Sequence, residues 1–262
     1  MGWLGLQLGN RLKKEGFEVY GTVSSIEKKV QLDKEFPKLE VFQLNQIEKN
    51  NFKNAAFLKA DFVFLTIPPS ASDQYAAQMQ QLVAKVIEAN SKVKILYTSS
   101  SSVYGEDERE VNETASINPQ SSNAQKIMAV ENFIRKNSPE NHVILRLAGL
   151  VGPNRHPVNY LIDRKNVKGQ NKQVNLVHSE DIINIVMKIC KGEYPLGIYN
   201  ICSPDHPSKS DYYTEFANRV NKNPPEFNKF DNDKGKVLIC SRLEDLNYEF
   251  VFTSPYEFPI EA

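Results

Sequence analysis

Val93 to Gly105 reads VKILYTSSSSVYG, a run of β-favouring residues that opens into four consecutive serines. Val93–Thr98 has the length and apolar density of a buried strand, and the serines end it. Upstream, Tyr75, Met79, Leu82, Val83, Val86 and Ile87 recur at helical spacing, which predicts a helix over 73–90. Ahead of it, Asp61–Ile67 (DFVFLTI) is a continuous apolar run closed by Pro68 and Pro69, the pattern of a strand covered on both faces. Downstream, 124–136 reads as a helix and His142–Leu147 as a further strand. Towards the N-terminus the order is a helix stopped by Gly16, a strand over Phe17–Val23, a charged helix over Ile26–Phe36 and a short alternating strand over Leu39–Leu44. Turns of hairpin length are missing between these strands. The alternation therefore predicts parallel βαβ units in an α/β fold, a doubly wound parallel sheet.

After Gly152-Pro153 the rhythm breaks. Residues 154–176 are polar, Ser179–Lys191 predicts a helix, Gly197–Cys202 (GIYNIC) one more strand, and a helix follows near Asp211–Asn221. The expected organisation is a core over 1–153, with strand 197–202 returning to it. A smaller lobe is expected from 154–196 and 203–262.

Composition excludes several classes. Lys plus Arg (32) balance Asp plus Glu (32) in 262 residues, so no basic excess is available for a nucleic acid. No apolar run is long enough to span a membrane, and the N-terminus lacks a signal-peptide pattern. Cys190, Cys202 and Cys240 are odd in number and far apart, which fits buried thiols in a reducing, cytoplasmic setting rather than a metal or disulfide framework. The four histidines are equally scattered, and no metal site is expected.

Gly2-x-x-Gly5 opens the first helix. In a dinucleotide-binding turn such glycines let the backbone approach a pyrophosphate, which the helix N-terminus then holds through Gly2, Trp3, Leu4 and Gly5. The full fingerprint begins one glycine earlier and follows a strand, and both would lie ahead of Met1. The sequence therefore leads us to expect about 8 further residues upstream in the natural protein, the length of a short strand. The competing expectation is a sheet that tolerates the gap and binds nucleotide less tightly.

With these features the chain resembles the short-chain dehydrogenase/reductase superfamily, in its extended or atypical NAD-dependent epimerase/dehydratase-like branch. The resemblance rests on GWLG (2–5), LYTSSSSVYG (96–105), ILRLAGLVGP (144–153), VNLVHSEDI (174–182) and GIYNICS (197–203). It implies a Rossmann core with a small C-terminal substrate lobe, and a catalytic Ser/Thr followed by Tyr-x-x-x-Lys. Ser100 falls at the serine, with Ser102 also facing the pocket and Tyr104 beside it. Lys126 falls at the lysine that holds the nicotinamide ribose. Ser122 stands where the tyrosine is expected, and a serine hydroxyl is a poor proton shuttle without another base. Three alternatives stay open: Tyr104 or Lys126 moves the proton, the reaction needs no shuttle, or the chain binds a dinucleotide without redox chemistry.

Cofactor contacts are further expected at Thr22, Ser24 and Ser25 after the second strand of the fold, and at Thr66, Ile67 and Pro68 after the fourth. No acid directly follows the former tract, and Lys28 and Lys29 lie a turn later, which favours NADP over NAD. Arg155 and His156 are expected at the substrate entrance. His178 is expected to be structural, with Ser179 as the helix N-cap. The implied function is that of an NAD(P)-binding oxidoreductase or epimerase acting on a sugar-nucleotide-like or small carbonyl/hydroxyl substrate. The alternative is a non-catalytic, redox-sensing module. A homodimer is the association that the resemblance implies.

Overall fold

The computed structural model describes residues 1–47, 59–107, 109–228 and 233–260. Its residues form two compact units. The first is Met1–Ser99, Ser121–Leu145 and Val186–Ile198, and the second Ser100–Gln120, Arg146–Ile185 and Tyr199–Ala262.

The first unit opens on α1 (Trp3–Lys14), whose Leu4, Leu8 and Leu12 are buried at i, i+4, i+8. β1 (Gly21–Val23) pairs in parallel with β2 (Leu39–Val41), Gly21 opposite Leu39. A Cβ at Gly21 would come within 2.7 Å of Leu39 Cδ2 and 2.8 Å of Met1 Cε, so any larger residue there would have to displace these side chains. Between them lies α2 (Ile26–Leu32). The strands are shorter than the apolar patterns predict: 17–20 stay outside β1, and a single 3-10 turn at Leu44–Gln46 follows β2.

β3 (Phe62–Leu65), β4 (Lys94–Ser100), β6 (His142–Leu147) and β9 (Gly197–Ile201) form a separate sheet in the order β3-β4-β6-β9. β3 and β4 are parallel, with Leu65 opposite Tyr97. Phe62, Val63 and Phe64 are only half-buried, against the expectation of a strand covered on both faces. The topology supplies the reason: among the described residues β3 stands at the edge of its sheet, and no strand lies between it and β1. α3 (Tyr75–Ala89) buries Tyr75, Met79, Leu82, Val83 and Val86 along the stripe read from sequence. α4 (Ser122–Asn137) starts two residues earlier than predicted because Ser121 Oγ accepts from Ala124 N at 3.1 Å and caps it.

In the second unit the short parallel pair β7 (Gly149–Val151) and β8 (Leu176–His178) borders a core of Val151, Val158, Leu176, Tyr212, Phe216 and Phe258. β5 (Glu110–Val111) pairs in parallel with β10 (Val237–Leu238). α5 (Ser179–Cys190) follows β8 across both units, while α6 (Lys209–Arg219) and the short α7 (Ser241–Asp245) belong to the second. No helix of the described residues is long and apolar enough to cross a membrane.

Candidate functional site

The first unit brings Gly2, Trp3, Leu4, Gly5 and Thr66 together. Gly2 is the N-cap of α1 in extended backbone, with no side-chain cap and no acidic residue in the first turn. Leu6 N donates to Gly2 O at 2.9 Å, so the N–H groups of the turn before it have no acceptor within the helix. Arg11, Lys13 and Lys14 fill the last turn and complement the opposite pole of the dipole. A Cβ added at Gly2 would meet nothing within 4 Å, whereas one at Gly5 would sit 3.3 Å from Thr66 Oγ1. The start of α1 is therefore open on one side and packed closely against the end of β3 on the other.

That end of β3 is fixed by hydroxyls. Thr98 Oγ1 donates to Leu65 O at 3.1 Å, and Tyr75 OH donates to Ile67 O at 2.9 Å. Having given its proton to Ile67, Tyr75 OH accepts from Tyr97 OH at 3.1 Å. Burial pushes the Tyr75 phenol up to about 12 and that of Tyr97 further, so both remain protonated donors. Thr66, Ile67 and Pro68 leave this clamp towards Gly5.

After β1, Gln43 Nε2 donates to the Ser24 carbonyl at 3.0 Å, and Ser24 is exposed. Ser25 Oγ accepts from Lys28 N at 3.3 Å and caps α2. Glu27, the first acid of α2, is held below the usual carboxylate range by its own backbone N–H and then by Ser25. On α4 the buried stripe is Ala124, Ile127, Val130, Glu131 and Ile134, and Ser122 and Lys126 flank it. Ser122 is exposed and Lys126 half-buried, and neither side chain makes a hydrogen bond or ion pair with another described residue.

The second unit holds Ser100, Ser102, Tyr104, Arg155 and His156. Ser100 Oγ accepts from Ser102 N at 3.1 Å and starts the single turn Ser101–Tyr104. Gly105 ends that turn at φ +85, where a Cβ would fall 2.7 Å from Asn118 O. The carbonyls of Tyr104 and Gly105 are both taken by cations. Arg109 donates to Tyr104 O at 3.0 Å, and the buried Lys236 donates to Gly105 O at 2.6 Å and Glu106 Oε1 at 3.0 Å.

Tyr104 is 1% exposed; its hydroxyl donates to Asn200 Oδ1 and accepts from Arg146, both at 2.8 Å. Burial raises its pKa, and the neighbouring Arg146 only partly offsets this. This phenol is engaged as a strut. Sequence reading did not single out Arg146, Asn200, Arg109 or Lys236. The available signal was a polar residue inside an otherwise apolar strand, as in ILRL and IYNI, where a buried charge or amide requires a partner.

Arg155 is exposed on a tight turn closed by Gly152 N to Arg155 O (3.0 Å) and Arg155 N to Gly152 O (2.8 Å). His156 is 5% exposed, packed on Tyr212 and Phe216, with Nδ1 accepting from Val158 N at 3.3 Å. Burial lowers its pKa to about 4, so the ring is neutral. His178 is buried against Phe252 and Phe258 at the start of α5. Its Nδ1 accepts from Glu180 N at 3.3 Å, so the imidazole satisfies one N–H of the first turn of α5. All three cysteines are free, and no group of potential metal ligands occurs among the described residues.

This parallel α/β architecture is the fold of solved epimerases and dehydratases. UDP-glucuronic acid 4-epimerase from Bacillus cereus, solved in complex with NAD, is similar over 96% of this chain and 91% of its own (TM-score 0.75, 18% identity). The Bordetella bronchiseptica enzyme WbmH in complex with NAD+ is similar over the same shares (TM-score 0.76, 18% identity). The chain belongs to the family of the RmlD substrate binding domain, whose model matches residues 1–226. Protein YeeZ of Escherichia coli K12 is 32% identical to it over 273 residues, covering 100% of this chain and 97% of YeeZ.

Proposed function

We propose that the chain binds a nicotinamide dinucleotide in its first unit. We further propose that it acts as an oxidoreductase or epimerase on a sugar-nucleotide-like or other small carbonyl/hydroxyl substrate. The observation that carries this reading is the start of α1. Two glycines, an absent side-chain cap and an acid-free first turn leave N–H groups and the positive pole of the helix open to an anion. A dinucleotide pyrophosphate is the anion this fold is suited to hold there.

In this reading Gly2, Trp3, Leu4 and Gly5 present backbone to the pyrophosphate, Thr22, Ser24 and Ser25 border the adenosine ribose, and Thr66, Ile67 and Pro68 line the approach to the nicotinamide. Lys126, without a partner of its own, holds the nicotinamide ribose. Bound nicotinamide supplies hydride transfer. Ser100 polarises the substrate oxygen, with Ser102, Arg155 and the Ser101–Tyr104 turn bordering it, while Tyr104 and His156 act as internal supports. NADP is favoured over NAD because no acid directly follows β1, Glu27 is turned onto Ser25, and Lys28 and Lys29 follow within the next turn of sequence. Three free thiols support a cytoplasmic setting, and a homodimer follows from the family resemblance.

Ser122 favours a second reading, a dinucleotide-binding module without turnover. Fluorescence titration with NADPH and NADH, followed by a hydride-transfer assay over nucleotide-sugars and simple carbonyls, separates the two. Binding with turnover supports the enzyme, and binding without it supports the module. Absence of binding sinks both. Lys126→Ala is expected to weaken dinucleotide binding about tenfold; unchanged affinity removes this residue from the site.

A further inference from the structure

One buried acid has no part in the chemistry above. Glu131 lies on α4 with no solvent exposure, and its Oε1 accepts a short hydrogen bond from Ser99 Oγ near the end of β4, itself 5% exposed. A carboxylate removed from water is costly unless hydrogen-bonded, and an alkyl side chain would fill the same space without that cost. The bond joins two elements whose relative position matters. α4 carries Ser122 and Lys126 in its first turns. β4 is laddered to β3, and Thr98 ties it to Leu65 O. β3 in turn ends at Thr66, against Gly5 at the start of α1. A continuous series of contacts within one unit thus runs from the helix of Lys126 to the helix start open to pyrophosphate.

We propose that the Ser99–Glu131 hydrogen bond is a positioning clamp: it fixes α4 along β4, and so sets Lys126 at the correct distance from the start of α1 for one dinucleotide to reach both. This rests on the dinucleotide reading above. Glu131 and Ser99 are positioning residues and touch no ligand. Their contribution is specific to ligands that span the two elements. Loss of the clamp should weaken a whole dinucleotide but not ADP, which lacks the nicotinamide ribose.

The test compares affinities for NADPH, NADH and ADP in the full chain, with melting temperatures recorded alongside. Ser99→Ala and Glu131→Met, which keeps the length of the side chain without its acceptor, are expected to weaken the better dinucleotide about tenfold while changing ADP affinity less than about twofold. The double variant should lose no more than the worse single one, because each single variant already breaks the Ser99–Glu131 hydrogen bond. Ser99→Thr, which keeps the hydroxyl, should restore the wild-type ratio. Added to Lys126→Ala, Ser99→Ala should weaken the dinucleotide no further. Ile134→Val, a packing change on the buried face of the same helix, should lower the melting temperature and leave the ratio alone. Equal losses for both ligands, or a ratio that follows melting temperature as in Ile134→Val, overturn the clamp alone. A wild-type protein that binds ADP but neither dinucleotide, or none of the three, overturns the dinucleotide reading and the clamp with it.

Discussion

Tyr104 shows how much a single side chain depends on residues remote in sequence. From the VYG motif it reads as a phenol near the substrate. In the fold its hydroxyl is saturated by Asn200 and Arg146, and Asn200 is itself held by Glu113 Oε1 at 3.0 Å and by Ile239 O at 2.9 Å. These partners lie 42 and 96 positions away, beyond any local pattern. Tyr104→Phe keeps the ring and leaves a buried amide oxygen and a buried guanidinium each one partner short. The expected cost is about 1–3 kcal/mol of stability, read by urea unfolding. Dinucleotide affinity should be unchanged, since the phenol is engaged within the hydrogen-bond network of the second unit. A variant that unfolds like wild type and loses turnover would return the phenol to the chemistry.

At the scale of elements, what the sequence made legible was periodicity. The stripe of α3 and the apolar runs of β3, β4 and β6 leave local signatures, so the βαβ order could be read directly. The two- and three-residue strands β5, β7, β8 and β10 were not legible, because each exists only through a distant partner. The start of α1 lies between these cases. Its glycines are visible in sequence, but the contact of Gly5 with Thr66 is not, and that contact makes a prediction. Gly5→Ala gains helix propensity of about 1 kcal/mol against a 3.3 Å contact with a rotatable hydroxyl, so stability should hardly change. Gly5→Val adds two methyl groups at the same place. It is expected to lower dinucleotide affinity at least about tenfold in fluorescence titration, with a well-folded circular dichroism spectrum. Affinity unaffected by valine would mean that the ligand does not approach α1 at this turn.

For the molecule as a whole, a net charge of zero conceals an asymmetry in acid sensitivity. Two histidines of the second unit, His156 and His206, have pKa values lowered chiefly by burial. His156 titrates near 4 when folded and at 6.5 when unfolded. Above pH 6.5 both states are neutral there and stability does not depend on it. Between 6.5 and 4 the unfolded chain takes up a proton that the native protein refuses, so stability falls as pH falls, by roughly 1.4 kcal/mol per pH unit. Below 4 both states are protonated and the contribution levels off. Asp181 acts in the opposite sense. Burial raises its pKa despite bonds from Val251 N and Tyr248 OH, so its destabilising share is present above its native pKa and is relieved as the carboxyl protonates. His156→Gln preserves an acceptor for Val158 N and removes the titration. Unfolding free energies of wild type and variant, measured from pH 8 to pH 4, should run parallel above 6.5. They should then converge or cross as the wild type loses stability faster, leaving the variant with the smaller slope due to His206. Parallel curves over the whole range would show that the ring is protonated inside the fold, and its packing between Tyr212 and Phe216 would then have to be that of a cation.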